Sequence, residues 1–201
     1  MKFMLWSSSN TQWVLLSAMM LGIAAGTVGC ISYWKRQHLM SDALAHAALP
    51  GVVLAFLLLG EKNLFVLLLG AAASALIGAI FIQIIHSSSR ISEDSAMGMI
   101  LAIFYGLGIM LLTIANRTGG NQSGLDSFIY GQAAAMVMSD VITMLILALL
   151  VISVILLGIP RWKIYLFDPL FAKGIGLSVN RMNLLYTALL VTTIVVGIQA
   201  V

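Results

Sequence analysis

Residues 64–85 read LFVLLLGAAASALIGAIFIQII, an uninterrupted run without a charged side chain. An α-helix rises about 1.5 Å per residue, so about 20 apolar residues cross the hydrocarbon core of a bilayer. Further apolar stretches of similar length occupy residues 13–33, 43–59, 96–115, 141–159 and 184–201. The sequence therefore predicts an all-α, polytopic transmembrane helix bundle of about six spans, organised as one domain over residues 1–201.

The composition excludes several classes of protein. The chain is 61% hydrophobic and 8% charged, whereas soluble domains carry about 25% charged residues. The single cysteine, Cys30, excludes a disulfide framework and a multi-cysteine zinc site. A scattered net charge of +3 does not indicate nucleic-acid binding. The sequence has no G-x-x-x-x-G-K-[ST] loop for ATP and neither an H-E-x-x-H nor a G-x-S-x-G motif, so we expect neither an ATPase nor an intramembrane enzyme.

The basic residues predict the orientation of the spans. The connections at residues 34–41, 86–95 and 160–183 hold seven of the ten lysines and arginines. The alternate segments hold the other three, Lys2, Lys62 and Arg117. Cytoplasmic loops of membrane proteins are enriched in Lys and Arg. The richer set is therefore predicted to be cytoplasmic, with both ends of the chain outside.

Small residues are concentrated within two of the predicted spans. Residues 22–26 read GIAAG, and residues 70–75 read GAAASA. Such residues let helix backbones approach closely in lipid. We therefore expect a compact bundle.

The polar residues of greatest interest lie in residues 41–51, SDALAHAALPG. Asp42 and His46 are four residues apart, so a helix places them on one face. A carboxylate oxygen and an imidazole nitrogen suit Mn²⁺, Fe²⁺ or Zn²⁺. Pro50, followed by Gly51, is predicted to kink or open the helix, as in the ion pathways of many membrane proteins. The pattern favours a metal site beside a helix break.

A structural interpretation of the same residues stays open. Ser41 can cap the second helix, and Asp42 can favour the positive end of its dipole. His46 is then a neutral histidine bonded to a neighbouring helix. Two ligands are also too few for selective capture of a metal, and a second copy of this helix across a two-fold axis would supply two more.

Two predicted cytoplasmic segments suit contact with a partner. Residues 87–95 form a polar stretch that ends in Glu93, Asp94 and Ser95. In residues 167–176, Pro169 after Asp168 is a typical helix start, and the glycines at 174 and 176 are typical stops. The result would be a short amphipathic helix that presents an apolar pair either to a partner or to the membrane interface.

Four stretches together resemble the bacterial zinc/manganese/iron ABC transporter permeases. Residues 41–51 are similar to that family's D-A-[LI]-[SA]-H-A-x-L-P-G signature, and residues 93–98 (EDSAMG) are similar to its D-[ST]-A-x-G segment. Residues 125–131 (LDSFIYG) resemble its external L-x-S-[YF]-[LI]-[FY]-G stretch. Residues 167–176 match its F-D-x-x-x-A-x-x-x-G coupling segment. The four occur in the family's order from the second span onward.

The resemblance implies the membrane subunit of a metal-ion importer in the bacterial cytoplasmic membrane. Two permeases, identical or different, would form the pore within the lipid, two cytosolic ABC ATPases would drive it, and an extracytoplasmic solute-binding protein would dock near residues 122–131. Asp42 and His46 become ligands for the transported Mn²⁺ or Zn²⁺, with Fe²⁺ a third candidate, and no permanently bound cofactor is implied. Glu93 and Asp94 become a second cytoplasmic contact. The coupling segment covers about residues 160–182. Within it, the residues that the resemblance implies for contact with the ATPase are Phe167, Asp168, Leu170, Phe171, Ala172 and Gly176.

Two alternative functions remain. Permeases for cobalamin or iron-siderophore chelates share a similar helical plan, but a large chelate needs no direct ligands, so Asp42 and His46 argue against it. A non-transporting membrane scaffold is the other. The resemblance implies further C-terminal helices that the chain, ending at Val201, lacks. We therefore expect either a fragment or a shortened protein, and the scaffold stays open.

Overall fold

A computed structural model describes the chain at residues 9–59, 64–117 and 138–200. Over these residues the protein is helical, without a strand. Five helices are long and apolar enough to cross a membrane, and a pair bent by 68° makes a sixth span when taken together. The predicted all-α bundle is confirmed, with five or six spans in the described residues where about six are predicted. The helices are α1 (Ser9–Trp34), α2 (Met40–Leu59), α3 (Leu64–Ser88), α4 (Glu93–Arg117), α5 (Met138–Leu157), α6 (Ile159–Phe167), α7 (Pro169–Gly174) and α8 (Val179–Ala200).

Helix α2 lies at the centre of the described bundle. It packs along α3 and α4 and also contacts α8, whereas α1 packs against α5 and α8. Just over half of the α2 span is buried, compared with 22% of the α1 and α4 spans. Its inward face carries small and branched apolar residues, which fill the space between neighbouring helices: Ala43, Leu44, Ala47, Ala48, Val52 and Val53. The most enclosed helix is therefore the one that carries the polar pair of the sequence motif.

Helix α2 does not break at Pro50. It stays helical from Met40 to Leu59 with Pro50 inside it, so the predicted opening at Pro50 and Gly51 is wrong. Proline has no amide hydrogen, so it cannot donate to the carbonyl of residue 46. One residue further on, Ser74 of α3 donates its hydroxyl to the Ala47 carbonyl at 2.6 Å. Neighbouring helices and serine hydroxyls of this kind let membrane helices accommodate a proline.

The small residues of α2 and α3 bring the two backbones into direct contact. A Cβ atom built on Gly51 would lie 2.1 Å from the Gly70 carbonyl oxygen, and one built on Gly70 would lie 2.6 Å from the Gly51 carbonyl oxygen. Neither position has room for a side chain. The predicted close packing is confirmed for residues 70–75, whereas Gly22 and Gly26 of α1 face open space.

The three connections predicted to be cytoplasmic meet at one end of the bundle. Gln37, in the turn between α1 and α2, donates a hydrogen bond to Glu93 at the start of α4. Lys35, just after α1, donates to Asn183 of α8. The Tyr165 hydroxyl of α6 donates to the same Asn183 oxygen at 3.2 Å. The connections therefore lie on one side, as their charge predicts.

The third connection is more ordered than the sequence predicts. A separate helix, α6, follows α5 after a 68° bend at Gly158 and precedes the short helix α7. Trp162 and Tyr165 are buried, while Arg161 is exposed. Helix α6 therefore turns an aromatic face toward the bundle and leaves the direction of the α5 span.

Candidate functional site

Asp42 and His46 lie in the first two turns of α2 and face the same way. The distance from Asp42 Oδ1 to His46 Nε2 is 3.5 Å. Two ligands about 2.1 Å from one tetrahedral ion lie about 3.4 Å apart, so the pair can bind a single metal ion. Both side chains are accessible, with 61% of Asp42 and 38% of His46 exposed. Helix α2 begins at Met40, so Ser41 lies inside the first turn rather than before it.

His46 lines a cavity of about 350 Å³ between α2, α4 and α8. The other lining side chains are almost all apolar, and the exception is Tyr105 of α4, whose ring packs edge-on against His46 with 4.9 Å between centroids. The His46 imidazole is thus a polar group at the edge of an apolar chamber. Its ring orientation is held by a neighbouring helix as well as by Asp42.

The pair does not make a complete metal site within the part of the chain that the structure describes. No group of three or more His, Cys, Asp or Glu side chains converges there. Two protein ligands leave most of the coordination positions of a divalent ion to water or to another subunit. Such an arrangement suits transient binding, because a transport site must also release its ion.

Helix α7 is formed by local features of the 167–176 segment. The Asp168 carboxylate accepts a hydrogen bond from the Phe171 amide at 2.8 Å and caps the helix, and Pro169 occupies its first position. At the other end, Gly176 adopts φ +83°, which a residue with a Cβ adopts only at a cost. The Leu177 amide then donates to the Ala172 carbonyl at 2.9 Å, completing the usual glycine-terminated helix end. The predicted start and stop are confirmed.

The outer face of α7 is apolar. Leu170 is 80% exposed and Phe171 is also exposed, whereas Ala172 is fully buried against the bundle. Phe167 is exposed too, although its ring lies 4.9 Å from that of Trp34 at the end of α1. These exposed groups fit either a partner protein or the membrane interface, so contact with an ATPase remains a prediction.

Glu93 and Asp94 face in different directions. Ser92 caps α4, accepting from the Ser95 amide at 3.2 Å. Glu93 then points inward to accept from Gln37, while Asp94 is exposed. Asp94 is available for a cytoplasmic contact, and Glu93 is engaged within the chain. Asp94 is therefore the carboxylate of the two that is left exposed, and the second cytoplasmic contact stays a prediction.

Two features of the site were not predicted from the sequence. The first is Tyr105, although a polar aromatic residue within an apolar span is a signal that could have identified it. The second is the polar cluster at the end of the bundle predicted to be cytoplasmic, formed by Lys35, Gln37 and Asn183 together with Glu93. These residues come from three segments that are far apart in the sequence, so no local pattern connects them. The external stretch at residues 122–131 lies outside the described residues.

Comparisons with known proteins agree on one family. The model of the ABC 3 transport family matches residues 7–201. The manganese transport system membrane protein MntC of Bacillus subtilis is 44% identical over 96% of this chain, and the zinc transport system membrane protein TroC of Treponema pallidum is 38% identical over 98%. The chain spans 44% and 66% of the lengths of these two relatives. The solved structure of PsaBC from Streptococcus pneumoniae in complex with Fab superposes with a TM-score of 0.80 at 31% identity, covering 97% of this chain and 67% of that one.

Proposed function

This chain belongs to the ABC 3 transport family, and from that membership we propose that it is the permease part of an importer for a divalent transition metal. Such a protein crosses the bacterial cytoplasmic membrane several times and is not itself an enzyme. ATP hydrolysis takes place on separate partner subunits. The cargo is manganese or zinc, the metals named for its relatives MntC and TroC; neither of these two is named for iron.

The observation that carries this proposal is the Asp42–His46 pair beside the cavity. The 3.5 Å separation suits a single ion, and only one carboxylate and one imidazole are offered. These ligand types bind Mn²⁺ and Zn²⁺ alike. The neighbouring cavity of about 350 Å³ is at the lower end of the range for small-molecule sites, which argues against a bulky chelate such as cobalamin.

The proposed partners follow from the same membership. A second permease, identical or different, completes the pore, and the binding protein releases its ion from outside. The two ATPases contact α7 through its exposed apolar face, with Asp94 as an additional contact. Closure of the ATPases then moves α7 and α6, and alternating access exposes the ion to the other side.

Metal uptake tests the proposal directly. Cells that lack their own manganese and zinc importers would express the full-length protein with its cognate ATPase and binding protein, and accumulated metals would be measured by elemental analysis. We expect accumulation of one of the two metals. Asp42→Asn and His46→Ala should each abolish it, because each removes one of two ligands.

His38→Ala is the matched control, since His38 packs near Tyr33 outside the pair. It should leave uptake unchanged. Normal uptake by Asp42→Asn would refute the ligand assignment. Absence of uptake by wild-type protein that is present in the membrane with its partners would favour the scaffold alternative.

A further inference from the structure

A second cavity, of about 250 Å³, lies at the cytoplasmic end of the bundle. Unlike the apolar chamber beside His46, this one has many polar side chains in its lining. They come from the α1–α2 turn and from α3, α4 and α8: Gln37, Gln83, His86, Glu93, Asn183 and Thr187. Several of these side chains carry an oxygen atom that can bind a metal ion, and His86 carries an imidazole. The lining therefore has the chemistry of a cation site.

The end of α1 fixes the position of Gln37. Arg36 adopts φ 59°, and the Gln37 amide donates back to the Ser32 carbonyl at 3.1 Å, which together close the helix. The Ser32 hydroxyl donates to the Gln37 carbonyl at 2.9 Å. The backbone of Gln37 is thus held from two sides, and only 8% of the residue is exposed.

The two ends of the Gln37 side-chain amide differ in their hydrogen bonding. Its amide nitrogen donates to Glu93. Because a carboxylate only accepts, this bond fixes which end of the amide faces Glu93 and directs the oxygen elsewhere. That oxygen, Oε1, is buried without a hydrogen-bond partner. A buried acceptor without a hydrogen-bond partner destabilises the folded state, so a cation or a donor bound at this position would remove that penalty.

The His86 side chain is exposed where it lines the cavity, and one contact favours the tautomer that leaves Nε2 free. Its Nδ1 lies 3.4 Å from the Ile91 carbonyl oxygen, a weak contact that favours a proton on Nδ1. Nε2 then keeps its lone pair for a metal ion. Carboxylate, amide oxygen and imidazole together suit a hydrated Mn²⁺ or Zn²⁺.

We propose that this cavity is an inner binding site for the transported divalent cation, with Glu93, Gln37 Oε1 and His86 Nε2 as ligands and water in the remaining positions. Its role in transport rests on the proposed function of the chain. In that role the ion passes from the Asp42–His46 pair to the inner site before it enters the cytoplasm.

The two cavities border the same helices at successive levels. On α3, Ala71 lines the outer cavity and Ala79 the inner one; on α8, the corresponding residues are Val195 and Thr187. Both pairs are eight residues apart, which is about 12 Å along a helix axis. On α2, His46 lines the outer cavity and Met40 the inner one, so the two cavities follow each other along one direction through the bundle.

A nearby positive charge limits the affinity of the inner site. Lys35 donates to Asn183, which also lines the cavity, and its ammonium lies 4.4 Å from the centroid of the Tyr186 ring. The ammonium and a cation bound in this cavity repel each other. Weak binding is what an exit site requires, because the ion must leave it.

Binding of Mn²⁺ alone to the purified full chain in lipid nanodiscs tests the inference without transport or partners. Free Mn²⁺ would be measured by electron paramagnetic resonance during a titration. We expect Asp42→Asn to lose the ion bound at the Asp42–His46 pair and to retain the ion bound at the inner site. Adding Glu93→Gln to Asp42→Asn should weaken the remaining site by at least about tenfold. The glutamine keeps the size of the side chain and can still accept from Gln37.

The matched control is Asp94→Asn, which removes the adjacent carboxylate from the same helical turn but not from the cavity. It should leave Mn²⁺ binding unchanged. Lys35→Met should act in the opposite direction and tighten the inner site. Mn²⁺ binding that is the same with and without Glu93→Gln would overturn the inference and leave Gln37 Oε1 to a bound water.

A spectroscopic measurement distinguishes the loss of a metal ligand from misfolding of the variant. In a His46→Ala background, Mn²⁺ that remains bound should show coupling to an imidazole nitrogen, and His86→Gln should remove it. Coupling that survives His86→Gln would also overturn the inference. An Asp42→Asn variant that binds metal like the wild type while Glu93→Gln loses a site would refute the outer pair and leave the inner site standing.

Discussion

Replacing Gly51 by alanine tests the direct contact between α2 and α3. The new Cβ would lie 2.1 Å from the Gly70 carbonyl oxygen and 2.5 Å from the Ser74 Cβ. Ordinary contacts of a Cβ begin at 3.4 Å, so the shortfall against the carbonyl is 3.4 − 2.1, or 1.3 Å. The obstructing atom belongs to a helix backbone, which cannot rotate away as a side chain can. The two helices must therefore move apart.

The expected cost is that of overpacking a well-filled interior, about 1–3 kcal/mol. Helix propensity acts the other way, since alanine is favoured over glycine by up to about 1 kcal/mol. A variant with the same propensity gain but no clash isolates the steric part. Gly22→Ala on α1 is suitable, because nothing lies within 4 Å of its Cβ. The free energies of unfolding of the two variants should differ by about 1–3 kcal/mol.

Thermal unfolding of the purified variants in one detergent provides the measurement. For a chain of this length, 1 kcal/mol shifts the melting temperature by about 2–4 °C. Gly51→Ala should melt lower than Gly22→Ala by several degrees. Gly108→Ala should fall between them, because the atoms nearest to its Cβ belong to the Leu49 side chain and not to a helix backbone. A melting temperature for Gly51→Ala equal to that of Gly22→Ala would refute the packing of these two helices.

Two further predictions concern the cytoplasmic end. Asp168→Ala removes the cap of α7 and should destabilise that helix by about 0.5–2 kcal/mol, which is measured as faster amide hydrogen exchange at residues 170–174. Asp168→Ser should largely preserve protection, and unchanged exchange in the alanine variant would contradict the role of the cap. Burial lowers the Lys35 pKa from 10.5 to about 8, so the unfolded chain binds more protons between these values, and stability should rise with pH across that window. The difference between wild-type and Lys35→Met melting curves from pH 7 to 11 measures this contribution, and parallel curves would exclude it.

Local patterns predict the spans and the polar pair well. Apolar runs of membrane length identify six spans, and the four-residue spacing of Asp42 and His46 correctly predicts their proximity on one face. The cap at Asp168 and the stop near Gly176 also depend only on adjacent residues. Each of these features is determined within one or two helical turns.

Features that depend on distant residues could not be predicted. The local rule for Pro50 predicts an opening, but Ser74 and the small residues of α3 support an unbroken α2. Glu93 belongs by sequence to a polar surface stretch, yet Gln37, 56 residues away, turns it inward. Helix α6 was missed because its nine residues are too few to span a membrane and because Tyr165 meets its partner, Asn183, only when α8 is beside it.

The bend at Gly158 makes α6 a lever. Its nine residues give an arm about 13 Å long, with α7 attached at the far end. A push on α7 therefore exerts a torque about the bend, and the 3.2 Å hydrogen bond from Tyr165 to Asn183 resists the rotation. Asn183 also accepts a hydrogen bond from Lys35 and lines the inner cavity. We therefore expect a movement of α7 to reach Asn183, which accepts hydrogen bonds from both Tyr165 and Lys35.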